Sequence, residues 1–545
     1  MHKPQFIFLM LMADILSTQA LPAGEPSGDT NYSNPVVRGN WSDPAVIRVG
    51  ADFYSVSSTN NWQPGIPILH SKDLVHWRYI GQAFRSNLNL QAGVTGAGIY
   101  GLEMGYNPNT QTFLIYAPLA NRELYVYYSQ RPEGPYRVKH LGKLGIDPGF
   151  FADADGRLFL AMYKGEIYEL ARDGLSIKRL VTKIDTSRYK FFEGPDIFRR
   201  ENWYYIVYSD GGTRPHQPST VSVLRSRKIE GPWKEDPGNP VMFATNDGSP
   251  LQGPAHGTVF GTQHGQWFIT FHAHQLSHYS LGRSLCLQGI EWTKDGWWRP
   301  RGGKAPKLTG DVPKLPACNY SLAQSDEFAS GQLDLQWFFH CKPDEEGSSW
   351  SLKQRPGWLR IYPRAGRPIE RAVLPGVFLQ RVLDKRFGLT TRIVFEAADV
   401  GDAAGLCMYH DPGMNFWLAT TNQGDMKAFE VGKTNDGKRT VLWTTENKIG
   451  SDVHLRIEID GEETATFYYG PDGKQWTPLG ESIYFGDSWQ DLRNGRGGDP
   501  DLGWVGVQKR NCWSATALGV FAVRSASVES KPADFDFVRV TTPEQ

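Results

Sequence analysis

Three carboxylates recur at one place in a repeated plan: Asp43 in WSDPAV, Asp147 in GIDPGFF and Glu193 in FEGPDI. Each opens a short apolar strand and is followed by small or turn residues. An Asp before Pro, taken singly, is an ordinary turn residue. Recurrence at the same point of three segments more than 40 residues apart is different, because strands that start alike converge on one mouth. Three carboxylates brought together supply a base, an acid and a group that tunes the acid, which suits hydrolysis of a glycosidic bond. Carboxylates needed only to close turns would face solvent, whereas these would crowd where repulsion and desolvation must be offset by function.

The elements that would position them are five segments of similar design, each a short apolar strand, a polar turn and a second strand rich in aromatic and β-branched residues. They run Asp43 to Thr59, Glu103 to Pro118, Asp147 to Tyr163, Glu193 to Asp210 and Gly253 to His274, with starts 60, 44, 46 and 60 residues apart. That spacing fits a four-stranded propeller blade with insertions in the first and fourth intervals. Alternation on a period of two and turns such as Asp155-Gly156 leave little helical periodicity. The fold class expected is all-β, a five-bladed β-propeller over 32–303 followed by a β-sandwich over 325–545. Between them, 304–324 is a Pro/Gly/Lys stretch that reads as a linker. The second domain shows alternating runs at Trp358 to Tyr362, Thr391 to Ala397, Val453 to Ile459 and Ala465 to Tyr469, with turns at Asp460-Gly461 and Asp472-Gly473.

Composition narrows the function classes. Of 545 residues, 58 are Lys or Arg and 58 Asp or Glu, so the formal charge is zero and no long-range field favours nucleic acid or an anionic membrane. Gly 58 and Pro 35 mark a turn-rich chain, and 13% aromatic content rules out disorder. Eighteen Trp and 23 Tyr supply core and stacking surfaces for a flat ligand. Five cysteines without C-x-x-C spacing imply no zinc or iron–sulfur site, although Cys318 and Cys341 could form one bridge in an oxidising compartment. The start, MHKPQFIFLMLMADILSTQA, reads as a signal peptide over 1–20, with periplasmic or secreted localisation and no membrane span to follow.

The motifs YSVSSTNNWQPGIPILHSKDLVHW, IDPGFFADADG, EGPDIFRRENWYYIVYSDGGT, GPAHGTVF and LGRSLCLQGIEWTKDGW, in this order, resemble glycoside hydrolase family 43, in the branch of β-xylosidases and α-L-arabinofuranosidases. SDEFASGQLDLQW, GWLRI, AGLCMYHD, LRIEIDGEETATFYY, PDGKQWTPLG and ADFDFVRV resemble the concanavalin-like sandwich attached to many of its members. The resemblance implies an inverting exo-glycosidase that removes terminal β-D-xylosyl or α-L-arabinofuranosyl residues from plant cell-wall polysaccharides or oligosaccharides. It makes Asp43 the general base, Glu193 the general acid and Asp147 the carboxylate that keeps the acid protonated and oriented. It implies substrate contacts at Arg283, His256, Trp62 and Glu103. His256 would also lie where relatives hold a water-ligated calcium or other small ion, and its alternative is a core histidine bonded to a turn. Arg283 could instead form a salt bridge and Trp62 could pack in the core.

Glu103, in GLEMGYN, departs from the family's usual Trp-Ala-Pro start and either bonds a sugar hydroxyl or closes a turn. Asp196 stands where the family often has His. Asp326, Glu327 and Asp536 resemble a structural calcium site, since oxygen ligands suit that cation, and are otherwise solvated strand ends. No cofactor is required for the chemistry. The alternatives are an endo-arabinanase or another glycosidase of the same superfamily, and a non-catalytic carbohydrate-binding propeller. A retaining fructosidase would need Asn-Asp-Pro, Arg-Asp-Pro and Glu-Cys where this chain has Ser-Asp-Pro, Ile-Asp-Pro and Glu-Gly-Pro.

Overall fold

The computed structural model describes residues 30–60, 62–84, 98–119, 121–212, 218–245, 247–340, 346–365, 376–411, 414–435, 438–486, 515–524 and 531–542. The expected signal peptide, Met1 to Ala20, and Cys341 and Cys512 lie outside the described residues. The chain is all-β, and no helix among the described residues is long and apolar enough to cross a membrane.

The first half forms five antiparallel sheets, each taking its strands in chain order. The first contains Ala45–Val49, Asp52–Val56, Gly65–Ser71 and Arg78–Phe84. The others begin at Glu103–Asn107, Gly149–Ala152, Glu193–Arg200 and Leu251–Gly261. These five first strands touch in sequence, and the last returns to the first, so the inner strands close a ring.

Successive side chains on a strand point to opposite faces, so each sheet feeds two apolar clusters. Leu114 and Tyr116 pack with Leu158 and Leu160, whereas Ile115 turns to Ile68 and Phe84 on the other side. Phe159 and Ala161 meet Ile206 and Tyr208, and Val207 faces Ile269 and Phe271. The last cluster joins Leu285 and Leu287 of the fifth sheet to Val46, Phe53 and Leu69 of the first. Sheets sandwiched on both faces account for strands as apolar as Thr112–Pro118 and Trp267–Gln275. The N-terminal segment seals the junction: Val37 pairs with Leu285, and the Tyr32 hydroxyl and Asn34 amide donate to the Leu287 carbonyl at 2.8 and 2.7 Å.

The Pro/Gly/Lys stretch is laid along this ring. Thr309–Asp311 pairs with Asn31–Ser33, the Cys318 N–H donates to Asp73 at 3.1 Å, and Arg78 stacks on the Tyr320 ring at 4.2 Å. Cys318 carries a free thiol whose Sγ contacts the His76 carbonyl, and Cys341, its candidate bridge partner, lies outside the described residues.

In the second half two sheets face each other across one core. One includes Ala533–Thr541, Arg386–Val394, Asp452–Asp460 and Thr464–Gly470; the other includes Ala517–Arg524, Ala403–Asp411, Met414–Asn422, Lys427–Asn435 and Lys438–Glu446. Leu389, Ile393, Leu455 and Phe535 from the first meet Leu406, Phe416, Val431 and Val520 from the second. The second sheet's outer face does not end in solvent. Leu379, Trp417 and Phe521 form a cluster with Phe338 and with Trp62 of the first half.

Candidate active site

Each inner strand of the ring is preceded by or contains a residue in the left-handed backbone region, at nearly one value: Asp43 (φ 49°), Gly101 (49°) and Asp147 (51°) stand two residues before their strands, and Gly194 (51°) and His256 (49°) lie within theirs. Glycine takes this conformation freely, whereas a side chain there costs about 1–3 kcal/mol and is concentrated at functional sites. Three of the five positions bear that strain, and the three residues are Asp43, Asp147 and His256, all lining one cavity with Gly101 and Gly194. The glycines make room: a Cβ at Gly101 would lie 1.8 Å from Asp147 Oδ1, and one at Gly194 would lie 2.7 Å from His256 Nδ1.

Asp43 is the most heavily supported. Arg283 donates to its Oδ1 at 2.5 Å, the Ser58 hydroxyl donates to Oδ2 at 2.6 Å, and His256 Nε2 lies 3.6 Å away. Its own N–H donates to His272 Nδ1 at 3.1 Å, which places the His272 proton on Nε2. Burial opposes ionisation, but Arg283, then His256, with the Ser58 hydroxyl adding to them, hold the carboxyl well below the usual carboxylate range. His272 is itself kept far below its ordinary value by burial and by Arg283, so it accepts as a neutral ring.

Glu193 has the opposite environment. Burial and then the negative charge of Asp43 raise it to about 7, against the pull of Arg283. Asp147 is also raised to about 7, chiefly by burial, with Glu193 and Asp43 adding to it and His256 opposing. Asp147 Oδ2 accepts the Gly194 N–H at 3.3 Å, the peptide adjoining Glu193. The like charge acting most on Glu193 is thus that of Asp43, while Asp147 holds the main chain beside it.

Of the sequence-predicted residues, Asp43, Asp147, Glu193, Arg283 and His256 come together. Trp62 does not line the mouth: its ring stacks on Phe338 at 4.3 Å and 12°, with the Arg381 guanidinium 5.8 Å from its centroid, and it is 3% exposed. Glu103 sits two residues deeper than the ring of left-handed residues, at the level of Asp196, and both carboxylates line the cavity floor. Burial and the charge of Asp196 raise Glu103 well above its ordinary value, and burial raises Asp196 to about 7.

The calcium set expected in the second half does not converge. Asp326 accepts from the Phe328 N–H and Trp337 Nε1 at 2.7 Å each, Glu327 takes a bidentate pair with Arg539, and Asp536 lies 3.2 Å from Arg392. Among the described residues no group of three or more His, Cys, Asp or Glu could hold a metal ion. Sequence reasoning passed over His272 and Ser58, both of which meet Asp43. For His272 the available signal was its place in the fifth repeat's second strand, where it pairs with Ala255 beside His256.

Comparison with known proteins agrees with this geometry. The family model described as glycosyl hydrolases family 43 matches residues 32–298, and the beta xylosidase C-terminal concanavalin A-like domain matches 325–541. A xylan 1,3-beta-xylosidase from Vibrio sp. is 26% identical over 507 residues, covering 83% of this chain and 91% of its own. The non-reducing end alpha-L-arabinofuranosidase BoGH43B of Bacteroides ovatus is 26% identical, covering 93% of this chain and 94% of its own. The crystal structure of the GH43 protein BlXynB from Bacillus licheniformis superposes with a TM-score of 0.82 at 27% identity, covering 94% of this chain and 99% of that one. With both models matched in order, and a ring of sheets converging on three carboxylates, the chain belongs to glycosyl hydrolases family 43.

Proposed function

We propose that this glycoside hydrolase is an inverting exo-enzyme that releases terminal β-D-xylosyl or α-L-arabinofuranosyl residues, with Asp43 as base, Glu193 as acid and Asp147 as the group that orients the acid. The five sheets are then the blades of a five-bladed β-propeller over about 32–303, joined through 304–324 to a β-sandwich over 325–545. The relatives' names, a xylosidase and an arabinofuranosidase, support those two sugars. Met1 to Ala20 would export the enzyme to the periplasm or medium, where cell-wall oligosaccharides are its substrates.

The observation that carries the assignment is the contrast between Asp43 and Glu193: one is held ionised by Arg283, and the other is pushed to about 7 by burial and by Asp43. Two carboxyls forced apart in this way are a base and an acid at one pH. Asp43 takes a proton from water as its oxygen attacks the anomeric carbon, and Glu193 gives its proton to the departing oxygen on the other face. One displacement inverts the centre and needs about 6.5–9.5 Å between the carboxyls to admit the water. Arg283 stays on Asp43 throughout and keeps it from taking Glu193's proton. Water is the only co-substrate.

Hydrolysis of aryl β-D-xylopyranoside and aryl α-L-arabinofuranoside, with NMR following the first-formed anomer, tests this. Inverted product is expected from wild type, with Asp43→Ala and Glu193→Ala lowering kcat by on the order of 10²–10⁴-fold. Retained configuration would refute the mechanism, and a ladder of products from a long polymer would move the enzyme to endo action.

A further inference from the structure

The loop that carries Asp43 is held from two sides, and one of those sides belongs to the C-terminal domain. Within the first half, the Arg283 N–H donates to Asn40 Oδ1 at 3.3 Å and the Trp41 N–H donates to the Arg283 carbonyl at 2.7 Å. From the second half, the stretch Arg381 to Asp384 runs alongside. Arg381 Nε donates to the Asn40 carbonyl at 2.9 Å, a Cβ at Gly39 would lie 2.1 Å from the Val382 carbonyl oxygen, and Asp384 pairs with Arg38 at 2.5 Å.

Arg381 is an unusual residue to find there. It is 6% exposed, and the side chain that bonds it among the described residues is the Tyr79 hydroxyl rather than a carboxylate. Its guanidinium lies over the rings of Trp41 (4.9 Å) and Trp62 (5.8 Å) instead. Burying a guanidinium with no carboxylate beside it is costly, so an apolar residue of similar volume would serve a merely structural seam better. What the guanidinium adds is a charged donor aimed at the main chain three residues before Asp43.

We propose that Arg381 is a positioning residue for Asp43, so that the C-terminal domain is part of the catalytic apparatus. Arg381 fixes the Asn40 carbonyl, Asn40 in turn receives the Arg283 N–H, and Arg283 grips the Asp43 carboxylate. Without the clamp, Asp43 drifts from the water it must deprotonate while the sugar contacts stay in place. This rests on the reading of Asp43 as the base.

The test compares full-length Arg381→Met, Arg381→Lys and Arg38→Gln with wild type on an aryl glycoside. Arg381→Met keeps the stem and removes the donor, and it is expected to lower kcat about 10- to 100-fold with KM changed less than about threefold. Arg381→Lys restores a charged donor and should recover most of kcat. Arg38→Gln weakens the same seam without touching Asn40 and should leave kcat within about twofold. A folded Arg381→Met with unchanged kcat, a loss confined to KM, or an equal kcat loss in Arg38→Gln would overturn the inference. If Arg381→Met does not fold, Asn40→Ala removes the acceptor on the other side of the clamp and must show the same kcat loss, an unchanged kcat again overturning it. A wild type inactive on every aryl glycoside would instead sink the assignment of Asp43, which separates the two failures.

Discussion

At the scale of single residues, the site depends on unequal environments for carboxyls of one kind. On the proposed mechanism, activity requires Asp43 ionised and Glu193 protonated. Because Glu193 is raised to about 7, kcat/KM should fall roughly tenfold per pH unit above about pH 7, while the acidic limb lies below the ordinary carboxylate range because Arg283 holds Asp43 down. A pH profile on an aryl glycoside checks both limbs; an alkaline limb near pH 5 would remove Glu193 as the acid. Glu103 makes a different prediction. Burial and Asp196 hold its carboxyl well above the 4.5 of the unfolded chain, so above about pH 4.5 folding takes up a proton and stability is lost as pH rises through the folded value. Glu103→Gln should therefore raise Tm at pH 8 and leave it nearly unchanged at pH 4. Melting curves at the two pH values decide it, and a Tm lowered equally at both would show that Glu103 acts as a charged structural group.

At the scale of the element, the inner strands are positioned by a backbone turn repeated five times. Where the position carries glycine, the missing side chain is part of the site. Gly101→Ala would put a methyl group 1.8 Å from Asp147 Oδ1 at a φ of 49°. We expect a destabilisation of about 1–3 kcal/mol and a kcat lower by at least about tenfold, read by calorimetry and steady-state kinetics. Retention of full activity would show that Asp147 need not hold the Gly194 N–H.

At the scale of the whole molecule, the two halves share a core. Phe338 from the second half stacks on Trp62 of the first, and strand Phe339–His340 pairs with Trp62–Gln63. Phe338→Ala should cost about 3–5 kcal/mol and lower the Tm of the entire chain in one transition. Two separate transitions, with only the second shifted, would mean that the halves unfold independently.

The chemistry was legible in the chain because it repeats. Asp43, Asp147 and Glu193 stand before apolar runs of period two, and side-chain alternation is local enough to read without a fold. The strand runs in both halves were legible for the same reason, as was Arg283 through its motif. Glu103 was misplaced because the left-handed residue of its repeat is Gly101, whose missing side chain hides the register, so a carboxylate two residues deeper looked like its counterpart. Trp62 was assigned to the sugar because its partner, Phe338, lies some 276 positions away in the chain. The calcium ligands failed for a related reason: Asp326, Glu327 and Asp536 each meet a separate donor, and which of several arginines or N–H groups reaches a carboxylate is set by packing. The sequence by itself determined which residues could be acid and base, since composition and periodicity are properties of neighbours along the chain. Which carboxyl is ionised, and that Arg381 reaches the main chain three residues before Asp43, were decided only by the tertiary structure, because burial and charge proximity exist only once distant strands have met.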